Sequence, residues 1–580
     1  MKQLMLGNAA VARGTWEAGV RFASSYPGTP STEITECISR FDDIYSEWAP
    51  NEKVAVEAAI GASLAGARAF SAMKHVGLNV AADPLFTVSY IGVNGGLVIA
   101  VADDPGMHSS QNEQDSRHYA QAAKLPMLEP ADSGECLAFT KAAYELSERF
   151  DTPVLLRLTT RISHSQSAVE ESDRFEAGVK DYVKDPAKNV MIPAHARPRH
   201  VLVEKRMAEL AAYAEDCPFN RVEMGGKIGV ICAGDTYQYA KEALGDGASY
   251  LKLGLVNPLP VNLIKDFCAR FEKVYVLEEM DPVIETFCRA NGLNVEGKAL
   301  FSLCGEYSPE LIASVLLGET AEGITSSLQA PGRPPVLCPG CPHRGVYFVL
   351  KKLKLTVSGD IGCYTLGVAA PLSALDTTVC MGASVSALHG FNKVRPESAQ
   401  KSVAVIGDST FMHSGITGLT DIVYNNGHST VIILDNSITG MTGHQQNPTT
   451  GLTIKNQPAG KVDLIKLCEG IGVPSENIRV VHSYDLKGME AALKEELAKE
   501  APSVIIAQMP CALLKTVKHA PALRTDPDKC TGCKACFRIG CPAVTLNQNG
   551  KCEIDASLCV GCGLCSQICK FGAIGGAHNA

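Results

Sequence analysis

No stretch of the 580 residues approaches the roughly 18 consecutive apolar residues that a membrane-crossing helix requires, so the chain is not expected to span a bilayer. A secretory start is lacking too. Met1-Lys2-Gln3-Leu4-Met5-Leu6 is broken at once by Gly7-Asn8, before an apolar core of the usual length can form. There is no positive charge excess: 53 Lys and Arg against 62 Asp and Glu leave −9, which disfavours nucleic acid as a partner. Nor is there a short-period repeat. What the chain has in plenty is cysteine, 22 residues of it. Without a secretory start, that number points to metal binding in a reducing cytoplasm rather than to a disulfide scaffold. The length is too great for one hydrophobic core, and roughly 100–200 residues per domain suggests three to five domains.

Eight of the cysteines fall in two runs near the C-terminal end: Cys530, Cys533, Cys536 and Cys541-Pro542, then Cys559, Cys562, Cys565 and Cys569. A C-x₂-C-x₂-C triplet with a fourth cysteine soon after, given twice, fits a ferredoxin-like module with two [4Fe–4S] clusters. Each triplet serves one cubane and each fourth cysteine crosses to the other. Cys530, Cys533, Cys536 and Cys569 then hold one cluster, and Cys559, Cys562, Cys565 and Cys541 the other. Zinc ribbons and disulfides are the alternatives. Two departures are visible: four residues rather than three precede Cys541, and Lys570 replaces the usual proline. Both alter a loop without removing a ligand, so the tail predicts one-electron transfer.

Ahead of the tail, short β-branched runs alternate with helix-like stretches. The segments 96–103, 153–159, 227–234, 273–279, 402–407, 430–436 and 503–509 read as buried parallel strands. Residues 55–68 and 133–149 read as helices, the second with Asp132 or Ser133 as N-cap. The fold class is therefore α/β with several parallel sheets and a C-terminal ferredoxin-like domain. Breaks are expected at the Pro/Lys/His/Arg-rich stretch 185–200, at 326–336 and at 515–528.

In the third region a strand over 402–407 runs into Gly407-Asp408-Ser409, then a helical stretch 416–425, a strand, and Asp435-Asn436. A Gly-Asp turn with an Asn about thirty residues later, at the next strand end, resembles the thiamine diphosphate motif. Mg²⁺ requires near-octahedral oxygen ligands at short distance and bridges the diphosphate. Asp408 would supply a carboxylate, Asn436 an amide oxygen and Ile438 a backbone carbonyl. Gly407 lets the chain approach the diphosphate, and the following helix start favours an anion. Ser409 stands where a second glycine is usual, and Gly440 opens a glycine-bearing loop, 440–443, behind the motif. Thiamine enzymes also need a carboxyl at the aminopyrimidine, to set the tautomer that takes the C2 proton. Glu52 and Glu57, in or beside a small-residue helix, are the two candidates, and each could instead be a solvated helix-face charge.

Three further segments are specific: Tyr26-Pro27-Gly28-Thr29-Pro30-Ser31, Met73-Lys74-His75-Val76-Gly77-Leu78-Asn79, and Asp103-Asp104-Pro105-Gly106-Met107-His108-Ser109-Ser110-Gln111. Together with Cys338-Pro339-Gly340-Cys341-Pro342-His343-Arg344-Gly345 and the fused tail, they resemble the 2-oxoacid:ferredoxin oxidoreductases over essentially the whole chain, in the branch acting on arylpyruvates of the indolepyruvate type. The resemblance implies a pyrimidine-binding domain over 1–190, a transketolase C-terminal-like domain over 191–325 and a diphosphate-binding domain over 338–515. A ferredoxin-like domain over 520–580 follows, and the thiamine site is made jointly by the first and third domains. It selects Glu52 over Glu57. It makes Thr29 a substrate contact, Arg117 a clamp for the 2-oxoacid carboxylate, and His75 and His108 proton-transfer groups. For each of these a purely structural role, as cap, loop stabiliser or surface charge, reads equally well from sequence. It further implies a third [4Fe–4S] cluster on Cys338, Cys341, Cys363 (after Asp360-Ile361-Gly362) and Cys511 (after Met509-Pro510); half a zinc or redox site, or buried thiols, would look the same. The other cysteines, Cys552 among them, read as packing.

The implied activity is oxidative decarboxylation of an arylpyruvate with coenzyme A, with electrons passing to ferredoxin. A smaller beta subunit and an (αβ)₂-like assembly are implied as well. Alternatives are an oxidoreductase or synthase for another 2-oxoacid, a non-oxidative decarboxylase with an appended ferredoxin module, and an electron-transfer subunit with an inactive thiamine site.

Overall fold

The segments Leu97–Asp103 and Val154–Thr159 show no polar alternation, and both are buried along their whole length, as strands covered on two faces must be. In a computed structural model that describes residues 2–319 and 328–576, these two strands lie side by side in a seven-stranded sheet. Its order is 255–257, 127–128, 154–159, 97–103, 69–74, 22–25, 45–48, all parallel except the antiparallel edge strand Leu255–Asn257. This sheet belongs to the first of two units, 1–327 and 328–580.

Helices pack onto it where the sequence supplies caps. Asn51 accepts from the Val54 N–H at 2.9 Å and starts the helix Glu52–Leu64, three residues before the expected start. The helix stops before Arg68 because Gly66 turns the chain at φ +97°. Of the two cap candidates ahead of the helix Ser133–Phe150, Asp132 is the one whose side chain caps, accepting from Glu135 N–H at 2.8 Å. A second, four-stranded sheet in the same unit runs 274–277, 228–233, 248–253, 221–223.

The stretch 185–200 is not an open linker. Pro186–Asn189 forms one helical turn, and Pro193–Glu215 is a 23-residue helix. Pro193 sits in the first turn, where its missing N–H costs nothing, and Pro198 is carried inside the helix. Arg199 and Arg206 on this helix tie it to Asp151 and to the main chain of Ser89 and Tyr90. Long-range anchoring outweighs the local proline signal. Ser326 and Ser327, the start of the second expected break, lie outside the described residues.

The second unit is built on a six-stranded, wholly parallel sheet in the order 377–378, 356–359, 402–407, 430–435, 503–508, 478–482. The cluster tail adds two small antiparallel pairs, 524–525 with 574–575 and 544–546 with 552–554. Its apolar residues share a core with the larger domain: Ile539, Val544, Leu564 and Ile574 are buried with Val346, Tyr347, Leu486 and Leu493. Among the described residues no helix is long and apolar enough to cross a membrane.

Candidate functional site

The strands Ser402–Gly407 and Thr430–Asp435 are neighbours in parallel register, Gly407 opposite Leu434, so their C-terminal ends bring Asp408 and Asn436 together. Asp408 is buried, and one terminal atom of the Asn436 amide lies 3.1 Å from its Oδ1 and 2.7 Å from the Ile438 carbonyl oxygen. With nitrogen at that position the amide donates to both. With oxygen there, three oxygens converge with no proton between them, an arrangement that a hard cation satisfies. Burial, and then the nearby Asp435, push the Asp408 carboxyl up to about 7, against the Thr449 hydroxyl, which donates to Oδ2 at 2.8 Å. Asn447 donates to the same oxygen at 3.4 Å. Ser409 accepts from Thr439 Oγ1 at 2.8 Å, so the serine in the second-glycine position ties the turn to the loop that follows Asn436. Thr449 and Asn447 were not foreseen; they stand 41 and 39 residues after Asp408 in irregular chain, with no motif spacing to mark them.

A single glycine separates this cage from a thiol. A Cβ on Gly440 would lie 3.4 Å from Cys363 Sγ and 3.7 Å from the Asn436 amide. Cys511 is held at the same place by its N–H, which donates to the Asn436 carbonyl at 2.9 Å. Burial raises the thiols of Cys341, to about 12, and of Cys363, to about 11; Cys338 adds to both, with Cys363 acting on the first and Cys511 on the second. Cys338, Cys341, Cys363 and Cys511 are thus close enough to feel one another, and a His444 ring nitrogen stands 3.7 Å from Cys511 Sγ.

The tail holds two cavities. Cys541, Cys559, Cys562 and Cys565 line one, and Cys530, Cys533, Cys536 and Cys569 the other, so each triplet meets the fourth cysteine of the opposite run. Main-chain N–H groups point at these sulfurs: Leu523 to Cys559 at 3.4 Å and Ala573 to Cys569 at 3.3 Å. Cys552, read from sequence as packing, also lines the second cavity; its N–H donates to Cys530 Sγ at 3.4 Å. Thiol-lined, N–H-furnished cavities fit [4Fe–4S] clusters, which take Cys₄ ligation and hydrogen bonds to sulfur.

In the first unit, Glu52 is buried at the start of its helix against Gly77, whose added Cβ would meet Glu52 Oε1 at 2.6 Å. Glu57 is exposed and paired with Lys53. The 26–31 loop joins the same corner: Ser109 Oγ donates to the Thr29 carbonyl at 3.2 Å, and Lys74 Nζ donates to the Ser109 carbonyl at 3.1 Å. His75 is buried; one ring nitrogen lies 3.1 Å from the Asn112 carbonyl, and Nδ1 has no partner among the described residues. Burial lowers the His75 imidazole, against the pull of Asp103, and so keeps it neutral. Lys74, lowered by burial while Asp104 and Glu52 oppose, is a cation in this corner that sequence reasoning passed over, though it stands inside a quoted motif.

Two expected site residues are engaged in ion pairs. His108 pairs with Glu306 at 2.9 Å, a carboxylate that also binds Arg161 at 2.6 Å. Arg117, expected as a substrate clamp, is engaged by protein groups instead. It is 1 % exposed, and its guanidinium is occupied by Asp115, Glu278 and the carbonyls of Glu279 and Asp281. With Arg157, bonded to Asp103 at 2.7 Å and to Glu129 at 2.6 Å, it forms a buried charge network that fastens the two sheets of the unit.

Comparison with known proteins bears on this arrangement directly. Residues 13–214 match the pyruvate flavodoxin/ferredoxin oxidoreductase thiamine-diphosphate-binding family, 360–507 the C-terminal TPP-binding domain of thiamine pyrophosphate enzymes, and 552–575 the 4Fe-4S binding domain. Indolepyruvate oxidoreductase subunit IorA of Archaeoglobus fulgidus is 40% identical over 99% of this chain and 97% of its own. The chain belongs to the indolepyruvate oxidoreductase IorA family. The IorA subunits of Pyrococcus abyssi and Methanothermobacter thermautotrophicus are 40% and 39% identical, each over at least 98% of this chain and 96% of theirs. The protein is therefore an oxidoreductase of 2-oxoacids that uses thiamine diphosphate and passes electrons through iron–sulfur clusters.

Proposed function

We propose that the chain is the catalytic subunit of an enzyme that converts arylpyruvates of the indolepyruvate type to arylacetyl-CoA. The balance is one arylpyruvate, one coenzyme A and two oxidised ferredoxins, giving one arylacetyl-CoA, one CO₂, one proton and two reduced ferredoxins. The single observation that supports this reading is the convergence of Asp408, Asn436 and the Ile438 carbonyl with Cys363 one glycine away, an arrangement that suits a diphosphate–Mg²⁺ anchor beside an electron acceptor. When bound, thiamine diphosphate supplies the carbon nucleophile for the 2-oxo carbon and the sink that lets CO₂ leave.

The chain's own residues do the rest. Asp408, Asn436 and the Ile438 carbonyl hold Mg²⁺, and Gly407 and the following turn admit the diphosphate. Glu52 keeps its carboxyl buried for the aminopyrimidine. Neutral His75 offers Nδ1 for a proton at the reacting end, and Thr29 lines the substrate loop. Three [4Fe–4S] clusters sit on Cys338/Cys341/Cys363/Cys511, Cys541/Cys559/Cys562/Cys565 and Cys530/Cys533/Cys536/Cys569. The domains are pyrimidine-binding over 1–190, transketolase C-terminal-like over 191–325, diphosphate-binding over 338–515 and ferredoxin-like over 520–580. The relatives are named as subunits, which supports a smaller beta partner; the proposal takes the assembly to be (αβ)₂-like and cytoplasmic.

The test is anaerobic turnover of the purified complex with indolepyruvate, coenzyme A and ferredoxin. Indoleacetyl-CoA with two reduced ferredoxins per CO₂ is expected. An aldehyde product with ferredoxin left oxidised contradicts the reading.

A further inference from the structure

Arg344 is the second residue of the helix His343–Leu353, and it is 2 % exposed. Its guanidinium binds main chain on both sides. Nε donates to the Cys338 carbonyl at 3.1 Å and Nη2 to that of Leu337, while Nη1 donates to the carbonyls of Ile539, at 3.3 Å, and Gly540. The first two carbonyls belong to the run into Cys338-Pro339-Gly340-Cys341; the last two immediately precede Cys541. Among the described residues Arg344 forms no ion pair with a carboxylate, an unusual state for a buried cation, since an unpaired buried charge is costly. Its neighbours are cysteines instead: it binds the Cys338 carbonyl and borders the cavity lined by Cys541 and Cys562. Cys559, Cys565, Pro339 and Gly340 line the same cavity. The Cys338–Cys341 loop also touches the Cys559–Cys562 loop, for a Cβ added at Gly340 would run into Val560.

We propose that Arg344 is a positioning residue shared by two adjacent cluster sites: its fork pins the Cys338–Cys341 loop to the loop entering Cys541, and its charge favours the reduced state of the clusters on either side. This rests on the reading that Cys338, Cys341, Cys363 and Cys511 bind a cluster. The sign follows from charge. Four thiolates around a cubane leave a net negative site that gains one more negative charge on reduction, so a fixed cation within a low-dielectric cavity raises the reduction potential. Because Arg344 faces both sites at once, it also holds the junction between them at a fixed separation.

The experiment is an anaerobic redox titration followed by electron paramagnetic resonance on the iron-loaded full chain, comparing wild type, Arg344→Gln and Arg344→Lys, with iron counted in each. With iron unchanged, Arg344→Gln is expected to move at least one cluster potential to more negative values, and Arg344→Lys to stay near wild type. Potentials unmoved in Arg344→Gln, in a protein carrying three clusters, overturn the inference. A wild type that carries only two clusters overturns it through the underlying reading. Should Arg344→Gln fail to load iron, Arg344→Lys decides: loading with wild-type potentials supports the shared cation, and failure to load overturns it.

Discussion

If Asp408 holds a cation as proposed, its carboxyl without that cation should cost the fold stability at high pH. Its carboxyl is buried beside Asp435, which raises it from the usual 3.8 to about 7. The sign is fixed by linkage. Below about pH 3.8 the group is protonated in both folded and unfolded chains and costs nothing. Between about pH 3.8 and 7 the unfolded chain gives up this proton while the folded protein keeps it, so stability is lost across that window and the loss is complete above about 7. Each pH unit between those two values is worth about 1.4 kcal/mol, so the ceiling on the loss at pH 8 is about 4 kcal/mol. Asp408→Asn removes the charge at nearly constant shape. Its amide oxygen can still accept from Thr449, and its amide nitrogen can donate to Asn436. In protein stripped of Mg²⁺ and thiamine diphosphate, the variant should be more stable than wild type at pH 8, with the gap closing toward pH 4, while thiamine diphosphate binding is lost. Hydrogen exchange of peptides covering 402–435, wild type and variant compared at each pH, reads this locally and cancels the intrinsic pH dependence of exchange. A stripped variant less protected than wild type at pH 8, or a gap that ignores pH, would refute the reasoning.

Glu52→Gln should leave thiamine diphosphate affinity within a few-fold of wild type but lower turnover by about 10²–10⁴, the usual reach of a lost proton-transfer partner; isothermal titration with parallel initial rates separates the two. Cys541→Ala should cost about four irons per chain, from the cluster of Cys559, Cys562 and Cys565, and leave the Cys530 cluster intact. Loss of iron from the Cys530 site instead would show that each run binds its own cluster without crossing.

Much of the scaffold was legible because it depends on local signals. The strand 402–407 is found at its expected bounds, and the strands at 97–103, 154–159, 430–435 and 503–508 within a residue of theirs, because strands buried on both faces leave unbroken apolar runs. The meeting of Asp408 with Asn436 was visible too, since a strand–turn–helix–strand unit places successive strand ends together. What escaped depends on contacts made far along the chain. Arg117 was open to reading as a substrate clamp because Glu278, 161 residues on, leaves no mark beside it. The proline-bearing segment 185–200 read as a break because nothing local reveals that Arg199 and Arg206 reach back to Asp151 and the chain around Ser89. Thr449 and Asn447, which support Asp408, and Cys552, which lines a cluster cavity, likewise gain meaning only from tertiary placement.

The most direct test of the central claim is a count of iron, acid-labile sulfide, Mg²⁺ and thiamine diphosphate per chain in anaerobically purified protein. Three clusters beside a loaded oxygen cage predict about twelve irons, with one thiamine diphosphate and one Mg²⁺. About eight irons would reduce Cys338, Cys341, Cys363 and Cys511 to packed thiols, and a folded, cluster-loaded chain that takes up no thiamine diphosphate would contradict the account.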